Sequence, residues 1–446
     1  MEILDKAVLP QSAHHMVLIK YLIVAAQVIF VSYTGLLFGS LAFSLYFRKR
    51  ALIKKDETYY KLAEEIIESV TFNRVIAIGL GLVPLLSCMF GYAQLLNGTG
   101  SSAEGYLFVS ALFLFNAILL VHSYKNGFFF DLNSLNYGQS HIAESDLKKN
   151  KKRSKAVKLF GKSGQFAFIF LLISIYLFSF AVQLATDTSR WNDIQNIWQV
   201  IFSLDSFVFF LQFISLSVTI TSGMILYRYF RTNSEITEIS IEHKNNLREF
   251  LLNRGLISMI LLLCFIVLSV MVRSRYSLSY NVFLYSAAAL CLILLVSSFY
   301  YLMIKQSDAK YSTTSLFLMM IVVFILIIRD QYSFDVSTKK QFAILASNYN
   351  AFEAGVKEKL GLGEAVISGA DIYNGRCIAC HNFDKKIVGP PYNQTLPKYV
   401  GKKDLLIKYI LNPVKINPDY PAMPNQGLKP KEADAVAEYL LATYKK

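Results

Sequence analysis

Charge is scarce in this sequence. Asp, Glu, Lys and Arg make up 17% of its 446 residues, against about a quarter in soluble proteins, and the mean hydropathy is +0.40. That shortage excludes a wholly soluble chain and assigns most of the molecule to lipid. Cysteine is rare too. Cys88, Cys264 and Cys291 lie singly in apolar runs, where a small buried hydrophobe is their ordinary role, so a disulfide framework is excluded. The net charge of +14 invites a nucleic-acid reading. Lys and Arg gather at the ends of apolar runs, however, which is the pattern of membrane topology, and no nucleic-acid partner is expected. Nor is a cleavable signal peptide expected, since the first apolar stretch is too long for a signal core and lacks a basic start.

What the sequence has instead is long apolar runs. A membrane span needs about 20 mostly apolar residues. Eight such runs occur, roughly 16–46, 75–96, 106–124, 164–185, 198–227, 255–272, 281–304 and 313–329. The first and fifth exceed one hydrocarbon thickness and are expected to tilt or to project beyond it. The connections 47–74, 125–163, 228–254 and 305–312 are rich in Lys and Arg, whereas the alternate ones and the first fifteen residues hold only Lys6, Arg190, Arg273 and Arg275. The positive-inside rule makes the basic set cytoplasmic. Eight spans then put both termini on the outer, periplasmic side of the cytoplasmic membrane.

Residues 331–446 read as ordinary soluble protein. Within Val336–Leu360, Phe342, Leu345, Tyr349, Phe352, Val356 and Leu360 recur at helical spacing, and Gly361 and Gly363 end the pattern. At about 1.5 Å per residue this segment makes a helix of ~35 Å, either a free arm or a surface helix packed on the membrane domain.

The most informative string is Cys377-Ile378-Ala379-Cys380-His381. C-x-x-C-H is the attachment pattern of c-type haem: two thiols three positions apart form thioethers, and the adjacent imidazole is held beneath the iron. A helix over Gly363–Arg376 is expected to precede it. Met423 is the only methionine after Met320 and lies in Pro421-Ala422-Met423-Pro424. The flanking prolines forbid a helix and hold the thioether in an extended loop, as an iron ligand requires. The alternative is a gap-filling core methionine. Lys431–Tyr444 is expected to form a closing amphipathic helix.

With these residues in place, 364–446 resembles a class I monohaem cytochrome c over its whole length. The resemblance implies thioethers at Cys377 and Cys380, axial ligation by His381 and Met423, and a carbonyl of Pro390 that orients the ligand histidine. His/Met ligation suits an electron carrier, and a filled coordination sphere leaves no site for substrate. Twelve Lys and Arg against eight Asp and Glu in this segment make it modestly basic, which would steer acidic redox partners.

The expected fold is therefore all-α: a polytopic transmembrane bundle over 1–330, an amphipathic helical linker over 331–363, and a cytochrome c domain over 364–446. Eight spans exceed what anchoring needs, so the bundle is expected to bind a quinone or a haem b, or to organise a complex. His14 and His15 open the first span and are candidates for a second haem. His122 ends the third span on the other side, so a single iron cannot bridge them across a ~30 Å core. His141 and His243 fall in cytoplasmic loops and are expected to be solvated. Asp205, a turn or two inside the fifth span, is a candidate proton or quinone site. An outer-side histidine opening the first span, several further spans and a terminal haem c domain resemble distant quinol-oxidising relatives of cytochrome bd subunit I. The reading is an electron-transfer subunit of a respiratory or photosynthetic membrane complex. Its expected partners are other membrane subunits, quinol, a soluble or membrane redox partner and the bilayer itself. A non-enzymatic scaffold tethering a cytochrome is the alternative, and a terminal oxidase is disfavoured by the small supply of histidine.

Overall fold

The structure is a computed structural model, and it describes residues 10–71, 73–135, 144–191, 203–231, 241–360 and 368–444. All regular elements among the described residues are helical. The chain divides into two compact units, Met1–Asn350 and Ala351–Lys446.

Among the described residues, the first unit contains eight helices long and apolar enough to cross a membrane. They are α1 (Ala13–Lys54), α3 (Arg74–Leu95), α4 (Ala103–Leu135), α5 (Glu144–Thr186), α6 (Leu204–Phe230), α7 (Ile241–Met271), α8 (Tyr280–Gln306) and α9 (Ser312–Ser337). Each answers to one of the apolar runs, and this is a multi-pass membrane protein. Between α1 and α3, within the basic connection 47–74, lies a further helix, α2 (Glu57–Glu68). Asp56 caps it by accepting from the Thr58 amide, and Tyr59, Tyr60, Leu62, Ala63, Ile66 and Ile67 are buried. The basic connection 125–163 is also largely helical, because α4 runs on to Leu135 and α5 begins at Glu144.

Helix α1 is the hub, packing against α2, α3, α5, α6 and α9. Small residues let backbones meet there: a Cβ on Gly39 would lie 2.1 Å from Thr221 Oγ1 of α6. In lipid, such close approach and interhelical hydrogen bonds replace the hydrophobic drive. Ser110 and Ser174 each donate to the other's carbonyl across α4 and α5, at 2.8 and 3.0 Å. Thr219 and Ser258 join α6 to α7 at 2.7 Å.

Two helix ends differ from the sequence reading in ways that bear on function. Helix α6 is described from Leu204, with Ser203 at its cap; this puts Asp205 in the first turn, while 198–202 lie outside the described residues. Helix α9 continues two turns past the expected end at 329, so Arg329 and Asp330 sit within a helix rather than at its end. After Thr338, α10 (Lys339–Lys359) follows the expected amphipathic pattern. Its first half packs on the membrane unit, where Phe342 meets the Phe334 ring and Lys20 lies 3.7 Å above its centroid. Gln341 also donates to the Asn97 carbonyl at 2.8 Å. Gly361 and Gly363 lie outside the described residues.

The second unit is built on a small core of Tyr373, Cys377, Tyr392, Leu396, Leu406, Ile410, Leu428, Ala433, Val436, Ala437 and Leu440. Helix α11 (Gly369–Ile372) runs into a wider π turn over Tyr373–Cys377. Of the expected Gly363–Arg376 helix, 363–367 fall outside the described residues. Short α12 (Tyr392–Thr395) and α13 (Lys403–Leu411) follow, and α14 (Pro430–Tyr444) closes the unit. Helix α11 crosses α14 at Gly369, where a Cβ would come within 2.2 Å of the Ala435 carbonyl oxygen.

Candidate haem site

The π turn sets the site. Its Ile378 amide donates to the Tyr373 carbonyl at 2.9 Å, and a tight turn follows in which the Cys380 and His381 amides donate to the Cys377 carbonyl at 3.1 and 2.9 Å. Widened helical turns of this kind re-aim side chains and recur at functional sites. Both cysteines are free; Cys377 is buried and Cys380 half-buried, and burial pushes the Cys377 thiol above its ordinary pKa.

The imidazole is fixed from the loop that follows. Val388 and Gly389 amides donate to the Cys380 carbonyl at 3.3 and 2.9 Å, which folds Gly389-Pro390-Pro391 back over His381. Nδ1 of His381 donates to the Pro390 carbonyl at 3.1 Å. That bond selects the tautomer with its lone pair on Nε2, the form that binds a metal. The Tyr392 ring stacks on the imidazole at 4.9 Å and 14°. At Gly389 a Cβ would stand 2.3 Å from His381 Cε1, so only glycine leaves room for the ring.

Met423 is half-buried in an extended loop. Arg376, adjacent to Cys377, donates to the Gln426 carbonyl at 2.5 Å, and Asn425 donates to the Leu411 carbonyl at 3.1 Å. Gly427 takes a positive φ of 63° to turn the chain toward Leu428 of the core. Two free thiols, a tautomer-fixed imidazole and a tethered thioether loop are a donor set that fits covalent haem. Gly389, Tyr392, Arg376 and Asn425 were not singled out from sequence. Gly389 alone had a signal there, as the glycine opening Gly-Pro-Pro after the motif.

Residues 364–440 match a family described as cytochrome c oxidase, cbb3-type, subunit III. Cytochrome c-551 of Pseudomonas denitrificans is 32% identical over 79 residues, which cover 17% of this chain and 95% of that protein. Through this domain the chain belongs to the cytochrome c family. The cytochrome c domain implies covalently bound haem c and an electron-transfer role. No solved structure matches the chain, and both matches leave the membrane unit outside their range.

In the membrane unit the remaining sequence candidates are not brought to one point. His14 and His15 are exposed on the first turn of α1. His122 is buried on α4; its Nδ1 donates to the Ile118 carbonyl at 2.9 Å, and its Nε2 has no partner among the described residues. His141 lies outside the described residues. His243 is not simply solvated: its Nε2 donates to Asp56 Oδ2 at 2.8 Å. Asp205 is buried, and Arg190 Nη1 donates to both its oxygens at 3.0 and 3.1 Å. Arg190 also pairs with Asp187 at 3.0 Å. Close by, Arg273 and the fully buried Arg329 share Asp330, at 2.7 and 2.9 Å, and both guanidiniums lie against the Phe209 ring. Hydropathy alone does not reveal this second cluster, because Arg329 closes the apolar run 313–329.

Proposed function

We propose that the chain is a membrane-bound electron-transfer protein that passes quinol-derived electrons through a His/Met haem c to an acceptor outside the cytoplasmic membrane. In this reading Cys377 and Cys380 carry the thioethers, His381 and Met423 are the axial ligands, and Pro390 orients His381. The division is a bundle over 1–330, a linker over 331–363 and a cytochrome domain over 364–446, with both termini on the periplasmic side. Haem c, when bound, supplies a one-electron couple. The residues around it orient its ligands: the Pro390 carbonyl holds the Nδ1 proton, Gly389 gives the imidazole its space, and the Arg376 and Asn425 bonds tether the methionine loop.

The observation that carries this proposal is the His381 to Pro390 hydrogen bond beside two free cysteines. It is a ligand arrangement for electron transfer, on a chain with far more membrane structure than an anchor needs. The matching family is described as an oxidase subunit, which supports a place among other respiratory subunits.

Two measurements test it. Denatured protein should keep its haem-dependent peroxidase stain, and Cys377→Ala with Cys380→Ala should abolish it. In native membranes a short-chain quinol should reduce haem c. A haem that stays oxidised in excess quinol, yet is reduced by ascorbate, would rule out quinol as the electron source.

A further inference from the structure

The membrane unit holds a cavity of about 60 Å³ between α1, α5, α6 and α9. Apolar side chains such as Phe178 and Phe209 form most of its wall, and Gln27, Ser179, Gln212 and Asp330 supply the polar part. Hydrogen bonding, charge and size together decide what such a space can receive. Acceptors stand unused on the wall. Gln212 is 6% exposed and its Oε1 has no partner among the described residues. Arg273 and Arg329 both donate to Oδ1 of Asp330, which leaves Oδ2. Donors stand unused beside the same carboxylate. Arg273 is 5% exposed, and its Nε and Nη1 have no partner among the described residues. Arg329 Nη2 lies 2.8 Å from Asp330 Oδ1 but without hydrogen-bond geometry. A guest that only donates or only accepts would leave one of these sets unpaired. Charge excludes an ion. Asp187, Arg190 and Asp205 carry one excess negative charge, and Arg273, Arg329 and Asp330 one excess positive charge. The six balance, so an ionic guest would bring an uncompensated charge into the bundle. Size excludes a ring: the volume suits about four waters and is under half of the ~150 Å³ that admits benzene.

We propose that this cavity is an internal water site, in which separate waters donate to Gln212 Oε1 and Asp330 Oδ2 and the cluster solvates the buried Arg273–Asp330–Arg329 group. Water is neutral, small enough, and both donor and acceptor, so it meets all three conditions at once. The two guanidiniums do not line the space, but they lie 4.8 and 5.4 Å from the centroid of the Phe209 ring that does. Their positive field draws the water oxygens, while the hydrogens turn to Asp330 and Gln212. A buried water needs two to four polar partners. Neighbouring waters, the Ser179 hydroxyl and the oxygen of Gln27, whose amide is spent on the Tyr92 hydroxyl at 3.0 Å, complete the set. Charged side chains persist within a membrane bundle where they face such a space, and the site thereby keeps the ion cluster charged away from bulk solvent.

The test uses the full haem-loaded chain in lipid nanodiscs, with brief X-ray radiolysis in heavy-oxygen water read by peptide mass spectrometry. Radiolysis makes hydroxyl radicals where water is, so a buried ring is hydroxylated only beside bound water. Phe178 and Phe209 on the wall should take up heavy oxygen, whereas Phe180, 0% exposed and packed against Tyr106, should be spared. Gln212→Leu should cut the labelling of both wall rings roughly threefold or more, because the water loses a partner, and should lower the thermal midpoint. A dry cavity gives the opposite sign, since leucine would remove an unpaired buried oxygen and raise the midpoint. Gln212→Asn keeps the carbonyl and should keep the labelling. Wall rings labelled no more than Phe180, or hydroxylated without heavy oxygen, overturn the water site. So does a raised midpoint with unchanged labelling in Gln212→Leu. The comparison of Phe178 and Phe209 with Phe180 is made in the unaltered chain, so it decides the matter even where the leucine variant does not fold.

Discussion

At the scale of single residues, one missing Cβ governs the imidazole. Gly389 passes so near His381 that alanine there would overlap the ring. Gly389→Ala is expected to cost about 1–3 kcal/mol through overpacking and to push the imidazole off the iron. Haem should remain covalently attached while the low-spin spectrum is lost. A variant with an unchanged low-spin spectrum would show that the ring has room to spare. Met423 is tested by its own substitution. Met423→His should lower the reduction potential, since a bis-His haem sits below a His/Met one, and should remove the weak long-wavelength band of sulfur-ligated ferric haem. If potential and band are both unmoved, Met423 is not the ligand. The cysteines, His381, Met423 and Pro390 were readable from spacing and resemblance. Tyr392, Arg376 and Asn425 were not, because nothing in sequence distance shows that Arg376 meets Gln426 fifty residues later.

At the scale of elements, α2 marks the limit of hydropathy scanning. Its twelve residues are too short and too charged for a span search, yet its buried positions Tyr59, Leu62, Ala63 and Ile66 follow the helical period. The Asp56 cap at its start is also tied to α7 through His243. The His243 hydrogen bond, helped by the Thr58 amide, holds the Asp56 carboxyl below the usual carboxylate range. A depressed carboxyl binds fewer protons in the folded state, so its contribution is complete above the ordinary carboxylate pKa. That contribution is lost as pH falls through the lowered value. The thermal midpoint should therefore fall on acidification, and Asp56→Asn, which keeps a good helix cap, should flatten that dependence. An acid limb identical in the variant would remove this pair as its source.

At the scale of the whole molecule, the proposed topology makes the broadest prediction. Lys and Arg are costly to translocate in short connections, and covalent haem attachment outside the membrane fixes the C-terminal side. Eight spans then place residues 1–15 and 331–446 outside and Lys148–Lys158 inside. A cysteine introduced at Asn150 should resist an impermeant thiol reagent in intact cells, while one at Ser102 should react. Labelling of the Asn150 position from outside would reverse the orientation and with it the proposed direction of electron flow.

The sequence by itself determined the class of the protein: eight apolar runs, an amphipathic helix and a C-x-x-C-H domain with one downstream methionine. These are properties of composition, period and short spacing, which local physics writes directly into a chain. Only the tertiary structure decided which buried charges meet. Asp187, Arg190, Asp205, Arg273, Arg329 and Asp330 come from four separate stretches of chain, and their pairing depends on how α5, α6 and α9 pack together with the turn after α7. The same packing uses both oxygens of Asp205 and places Asp330 and Gln212 on the wall of one cavity. A carboxylate in a span reads alike wherever it stands in a sequence; its partners, and hence its chemistry, come from helices far away in the chain.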